Sequence, residues 1–150
     1  MFGDIPVSTP LAHALQDIGY RNPTPVQERT IPIARSGRDL IGQAQTGTGK
    51  TAAFGIPLIE IIDTKIKVIQ ALVLVPTREL AIQVQDELSR LSRFQRIHTI
   101  AIYGGQSINP QLRLLQQGAH IVVSTPGRLM DHMERGTIQL NHIKVVVLDE

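Results

Sequence analysis

The 150-residue chain is 42% hydrophobic and 19% charged, with 15 lysines and arginines against 13 acids for a formal net charge of +2. That is the content of one globular domain, burying about 70% of its extended surface; the charge is too weak to argue nucleic-acid binding alone, and two tyrosines, three phenylalanines and no tryptophan offer few stacking platforms. The absence of cysteine excludes a disulfide framework, a thiolate zinc site and a cysteine nucleophile.

In chain order, Thr9-Pro10 starts a first helix that stops at Gly19, and Thr24-Pro25 starts a second that stops near Gly37. A short strand is expected near 39–43, followed by a helix whose apolar positions are Ala52, Ala53, Phe54, Ile56, Leu58, Ile59 and Ile62. Residues 63–69 read as a surface loop carrying Asp63, Lys65 and Lys67. Further strands are expected near 70–75, 98–103, 120–124 and 144–148. Between them lie a helix after Thr77 with a core stripe of Leu80, Ala81, Val84, Leu88 and Leu91, one bracketed by Asn109-Pro110 and Gly118, and one bracketed by Thr125-Pro126 and Gly136. This alternation brings each strand back parallel to the last. It specifies an α/β class, a mostly parallel sheet with helices on both faces. No apolar run approaches ~20 residues, and no basic-then-apolar segment opens the chain, so neither a membrane span nor a signal peptide is expected and the expected compartment is cytoplasmic. His13, His98, His120, His132 and His142 have no metal-ligand spacing and read as surface or edge residues.

The first strand-to-helix connection, Ala44-Gln45-Thr46-Gly47-Thr48-Gly49-Lys50-Thr51, has the parts of a phosphate loop. Gly47 and Gly49 let the backbone turn its N–H groups inward, and the following helix N-terminus adds unpaired donors and partial positive charge. Lys50 supplies a point charge for β- and γ-phosphates, and the Thr51 hydroxyl can join the ligand set of Mg²⁺, a hard cation that prefers oxygen. Ala44 stands where the strict pattern has its first glycine. The plain alternative is a glycine-rich turn that happens to contain a lysine.

Ligands of an open parallel sheet bind beyond the carboxyl ends of its strands, so the other strand-to-helix loops are candidates too. Asp149 follows the apolar run Val145-Val146-Val147-Leu148, where its carboxylate can engage Mg²⁺ through water. Glu150 beside it is placed to orient or deprotonate an attacking water. Pro76-Thr77-Arg78, Gly104-Gly105 and Thr125-Pro126-Gly127-Arg128 look like a second anion site. Arg78 and Arg128 in first helical turns oppose the macrodipole at a cost of about 0.3–1 kcal/mol each. Hydroxyls, arginines, helix N-termini and glycines that admit a ligand to the main chain together describe contacts to a polynucleotide backbone. For either loop alone, a threonine N-cap beside a solvated arginine is an equal reading.

Gln27 has two readings. It closes a capping box with Thr24, or its amide offers the donor and acceptor that pair with N7 and N6 of adenine. Tyr20 is either a core aromatic or a stacking surface for a base.

Phe2 ahead of the segment Gly19-Tyr20-Arg21-Asn22-Pro23-Thr24-Pro25-Val26-Gln27, then Ala-Gln-Thr-Gly-Thr-Gly-Lys-Thr, Pro-Thr-Arg-Glu-Leu, Gly-Gly, Thr-Pro-Gly-Arg and Val-Leu-Asp-Glu, together resemble the ordered motifs of the first RecA-like domain of DEAD-box ATP-dependent RNA helicases. The resemblance spans nearly the whole chain, and alanine is that family's habitual residue at Ala44. It implies a RecA-like P-loop fold, ATP and Mg²⁺ as cofactors, and RNA as partner with little base readout. Gln27 and the Asn22 carbonyl would read adenine, Tyr20 would stack on it and Phe2 would support that pocket. Lys50 and Thr51 would serve phosphate and magnesium, while Pro76, Thr77, Arg78, Gly105, Thr125 and Arg128 would touch RNA backbone. Unwinding would be local, with ATP closing two domains over bent single-stranded RNA.

The chain departs from that pattern at Asp149-Glu150, halfway through the four-residue Asp-Glu-Ala-Asp motif. The Ser-Ala-Thr motif and a second RecA-like domain with arginine fingers are absent, so residues 1–150 are expected to be an incomplete first domain, nearly inactive alone. Two other readings use the same sites: a non-catalytic ATP-dependent RNA clamp or scaffold, and a DNA-directed translocase, since phosphate contacts do not name the sugar. A guanine-nucleotide switch would need a reader such as Asn-Lys-x-Asp, which the sequence lacks.

Overall fold

Local chemistry at the helix ends sets the first elements in a computed structural model that describes residues 1–45 and 47–150. Helix α1 (Thr9–Ile18) begins where the Ser8 hydroxyl accepts the Leu11 N–H and ends at Gly19, whose φ of 90° supplies the left-handed cap. Helix α2 (Pro25–Arg35) has proline at its first position, where the missing N–H costs nothing. Helix α3 spans Lys50–Glu60 and buries Ala52, Ala53, Ile56, Leu58 and Ile59. Residues 1–61 with 90–96 form one compact unit, and residues 62–89 with 97–150 a second. Within the first unit α2 packs on α3, and the pair is clamped at its end by Arg35. The Arg35 guanidinium donates to both Glu60 carboxylate oxygens at 2.9 and 2.6 Å, and to the Pro6 carbonyl at 2.6 Å.

The second unit is built on four parallel strands, β1 (Ala71–Leu74), β2 (Thr99–Ile102), β3 (Ile121–Ser124) and β4 (Val145–Leu148), in the order β2-β3-β1-β4. Ala71 is in register with Ile121 on one side and Val145 on the other, and Thr99 with Ile121. Helices α4 (Arg78–Leu91), α5 (Asn109–Gln117) and α6 (Pro126–Arg135) alternate with the strands. One sheet face, with Leu72, Ile100, Ile102 and Val122, forms a core with Leu129 of α6 and Leu115 of α5. On the other, Ala71, Val73, Ile121 and Val123 are likewise buried. The expected α4 stripe is buried at Ala81, Val84, Leu88 and Leu91, whereas Leu80 is partly exposed.

At edge strand β2, glutamine amides occupy one carbonyl of the strand and one just past its end. Gln85 donates to Thr99 at 3.3 Å and Gln111 donates to Tyr103 at 2.8 Å, which blunts the edge against pairing with another chain. Buried Gln70 plays a related role before β1: its Nε2 donates to the Asp63 and Ile66 carbonyls and its Oε1 accepts the Asp63 N–H at 2.8 Å, closing the surface loop predicted at 63–69.

Two sequence expectations need correction. Residues 39–43 are not a strand; every ladder among the described residues joins segments between Ala71 and Leu148, and Ile41 is fully exposed. A strand exists only as part of a ladder, and Leu40-Ile41 finds none here. Histidines His120 and His132 are not surface residues, being 2% and 0% exposed, while His13, His98 and His142 are exposed. Nδ1 of His120 accepts the His98 N–H at 3.0 Å, and burial, with His98 and Lys67 nearby, pushes its pKa down.

Candidate functional site

The loop before α3 has the geometry of an anion cradle. Gly47 and Gly49 adopt φ of 82° and 86°, a region that side chains disfavour, so the chain can reverse directly into the helix. Lys50 and Thr51 then occupy the first two helical positions, where the N–H groups have no intrahelical acceptor. The Thr48 hydroxyl donates to the Gln45 carbonyl at 2.5 Å, bracing the turn. A Cβ built on Gly47 meets nothing within 4 Å, so there is open space above this turn. The expectation for Thr46 lies outside the described residues.

Gln27 joins the start of α2 to this loop. Its Oε1 accepts the Thr24 N–H at 2.9 Å, the reach-back half of a capping box, while its Nε2 donates to the Gly49 carbonyl at 3.0 Å. A Cβ on Gly49 would collide with that same Nε2. The side chain is 2% exposed, and these two bonds use one of its two donor hydrogens and one of its two acceptor lone pairs. Phe2, also 2% exposed, is set by reciprocal backbone bonds with Ile5 at 2.7 and 2.9 Å. The turn it opens lays Gly3, φ 55°, against Pro23, where an added Cβ would fall 2.5 Å from Pro23 Cδ. Tyr20 is half-buried and Asn22 exposed.

In the second unit, Pro76, Thr77 and Arg78 follow β1 and are exposed. The Thr77 hydroxyl caps α4 by accepting the Leu80 N–H at 3.2 Å. The Arg78 guanidinium lies over the Tyr103 ring, 5.3 Å from its centroid, and a Cβ on Gly105 would sit 3.9 Å from Arg78 Nη1, so the Arg78 loop and the Gly104-Gly105 loop meet. Thr125 makes no side-chain cap to α6. Gly104 and Gly127 have open space where a Cβ would go.

Arg128 is not a solvated arginine; its side chain is only 13% exposed. Nη1 donates to Gln111 Oε1 and Nη2 to the Gln106 carbonyl, both at 3.0 Å. The same Gln111 oxygen lies 3.2 Å from Nε2 of His132, whose Nδ1 is 2.8 Å from the Thr137 hydroxyl. An amide oxygen only accepts, so Nε2 carries the proton, while the Thr137 hydroxyl beside Nδ1 donates to the His132 carbonyl at 3.1 Å. Burial, with Arg128 next, pushes the His132 pKa down and favours the neutral ring.

Asp149 extends β4, its N–H donating to the Leu74 carbonyl at 2.9 Å; its side chain is half-buried and that of Glu150 exposed. Among the described residues no three His, Cys, Asp or Glu side chains cluster to hold a metal.

A family model described as DEAD/DEAH box helicase matches residues 24–150. The chain belongs to the DEAD/DEAH box helicase family. It is 49% identical over 149 residues to the DEAD-box ATP-dependent RNA helicase CshA of Geobacillus kaustophilus, covering 99% of this chain and 32% of that protein. To the CshA of Bacillus subtilis it is 52% identical, with 30% of that protein covered. The chain thus spans about a third of the length of these curated relatives. A crystal structure of a DEAD box protein from Methanococcus jannaschii superposes with a TM-score of 0.92 at 42% identity, over 98% of this chain and 40% of that one. The parallel sheet with its alternating helices is this helicase family's RecA-like arrangement.

Sequence reasoning missed four participants in the DEAD-box chain's loop cluster: Tyr103, Gln106, Gln111 and His132. Only Tyr103 had a readable signal, as an aromatic directly before Gly104-Gly105. Gln111 looks like any polar helix residue, and its buried bonds depend on partners up to 21 positions away.

Proposed function

We propose that residues 1–150 are the first RecA-like domain of a longer ATP-dependent RNA helicase, and that this domain binds ATP with magnesium and the backbone of single-stranded RNA. The observation carrying this reading is the left-handed glycine pair Gly47 and Gly49 ahead of a helix opened by Lys50 and Thr51. The backbone N–H groups of 47–51 hold phosphate oxygens, Lys50 adds a point charge at the β- and γ-phosphates, and the Thr51 hydroxyl takes a place among the oxygens around magnesium. Magnesium supplies neutralisation of the developing phosphate charge. Asp149 would help hold the ion and Glu150 would orient the attacking water.

Gln27 and the Asn22 carbonyl read adenine, Tyr20 stacks on it and Phe2 supports the pocket. The remaining amide hydrogen and lone pair of Gln27 fit this role, because adenine needs one acceptor and one donor. Pro76, Thr77, Arg78, Gly104, Gly105, Thr125, Pro126, Gly127 and Arg128 contact the RNA backbone, with the open space over Gly104 and Gly127 admitting it closely. The second RecA-like domain, in the remainder of the parent chain, supplies the arginine fingers. No helix among the described residues is long and apolar enough to cross a membrane, in keeping with a cytoplasmic enzyme.

In the full-length parent, Gln27→Ala is expected to reduce the preference for ATP over GTP, with about 1–3 kcal/mol at stake for a bidentate pair. Competition binding of the two nucleotides measures it. An unchanged ATP-to-GTP ratio would leave Gln27 as a helix cap and loop tether alone.

A further inference from the structure

We propose that Gln111 is a positioning residue for RNA binding, one that holds the Arg128 guanidinium by a neutral acceptor and presents it to a phosphate. The proposal rests on reading Arg128 as an RNA-backbone contact. Gln111 is 1% exposed, and a buried amide in α5 that does nothing but fill space would be replaced at no cost by an apolar side chain. Instead every contact it makes leads to the candidate interface. Its Nε2 donates to the Tyr103 carbonyl, at the entrance to Gly104-Gly105, while its Oε1 receives Arg128 Nη1 at 3.0 Å and His132 Nε2 at 3.2 Å. The partners fix which way the amide faces: a carbonyl must meet the NH₂ group, and a guanidinium must meet the oxygen.

The chemistry of the acceptors matters as much as their position. Both hydrogen-bond acceptors of Arg128, Gln111 Oε1 and the Gln106 carbonyl, are neutral. They use two of the five guanidinium N–H donors, leaving three for an anion. A carboxylate is close, Asp131 Oδ2 at 3.9 Å from Arg128 Nε, but the other oxygen of Asp131 is taken by Arg135 Nε at 2.8 Å. Held by Gln111, Arg128 meets Asp131 only at the outer edge of ion-pair distance, 3.9 Å, which leaves most of its charge for phosphate. Without Gln111, the guanidinium can settle on that carboxylate, and binding RNA must then break an ion pair. His132 supports the arrangement: its Nε2 faces Gln111 Oε1 at 3.2 Å, and Thr137 anchors the far side of the ring at Nδ1.

The test is a double-mutant cycle in the full-length parent, measuring affinity for a single-stranded homopolymer RNA at saturating non-hydrolysable ATP analogue across a salt titration. Arg128→Ala is expected to weaken binding and to make the log–log salt slope shallower by about 0.7. Gln111→Met, nearly isosteric, is expected to weaken binding by about tenfold, ~1.4 kcal/mol, and to lose most of that effect in the Arg128→Ala background. A merely structural role would weaken binding equally in both backgrounds. Should Gln111→Met fail to fold, Gln111→Glu retains both acceptor contacts and loses the donation to the Tyr103 carbonyl. It is expected to weaken binding more while Arg128 is present than in the Arg128→Ala background, because a carboxylate neutralises the charge that the amide leaves available. Equal losses with and without Arg128 would overturn the positioning role alone. An Arg128→Ala variant with unchanged affinity and salt slope would remove the interface reading, and this proposal with it.

Discussion

Replacing Glu150 with glutamine in the full-length parent is expected to lower ATP turnover by about 10²–10⁴-fold, the usual worth of a positioned general base, while leaving ATP binding close to that of the unaltered protein. The substitution keeps the size of the side chain and exchanges one acceptor oxygen for an NH₂ donor, removing charge and basicity, so a selective loss of turnover points to the water and not to the fold. β4 carries the chain to this position. It is in parallel register with β1 from Val145 to Leu148, and the Asp149 N–H continues the ladder onto the Leu74 carbonyl. Comparing steady-state hydrolysis with equilibrium nucleotide binding separates the two effects, and near-normal turnover in Glu150→Gln would sink the water-orienting role.

Gly49→Ala is expected to be far more damaging than Gly47→Ala, although both glycines lie in the same loop with φ above 80°. Either alanine incurs the left-handed backbone cost of about 1–2 kcal/mol. At Gly47 that is all, since nothing lies within 4 Å of the added carbon. At Gly49 the new methyl meets the Gln27 amide and lies 3.3 Å from the Thr24 hydroxyl. Gln27 is 2% exposed and cannot retreat into water. Displacing it leaves the Thr24 N–H and the buried amide unsatisfied, adding about 1–3 kcal/mol. Chemical denaturation should therefore place Gly49→Ala about 1–3 kcal/mol below Gly47→Ala, and nucleotide affinity should fall with it. Equal stability of the two variants would contradict the tether between Gln27 and the phosphate loop.

The elements that the sequence foretold well are those whose signals are local. Thr9-Pro10 and Gly19, Thr24-Pro25, Asn109-Pro110 with Gly118, and Thr125-Pro126 with Gly136 each mark a helix end within a few residues, and each helix begins or ends within a residue of that mark, the cap of α1 being Ser8, one position ahead of it. The apolar runs before Val75, Tyr103, Thr125 and Asp149 became strands because each found a parallel neighbour. Leu40-Ile41 has a similar local signature and found none, a distinction that depends on partners distant in sequence. The candidate loops were legible through hydroxyls, glycines and arginines next to helix starts. What holds them together was not. The Gln27–Gly49 bond spans 22 positions and the Arg128–Gln111 bond 17, and no spacing rule distinguishes Gln111 from an exposed polar residue. Burial of His120 and His132 was invisible for the same reason: a histidine becomes a core residue through what surrounds it.

The central proposal is that this chain is the first RecA-like domain of an RNA-dependent ATPase, one that holds ATP and RNA and needs the rest of the parent for turnover. Its most direct test is ATP hydrolysis with and without single-stranded RNA, measured side by side for the full-length parent and for residues 1–150 alone. The account predicts RNA-stimulated turnover by the parent and negligible turnover by the isolated chain. Brisk RNA-stimulated hydrolysis by residues 1–150, or a parent whose ATP turnover ignores RNA, would contradict it.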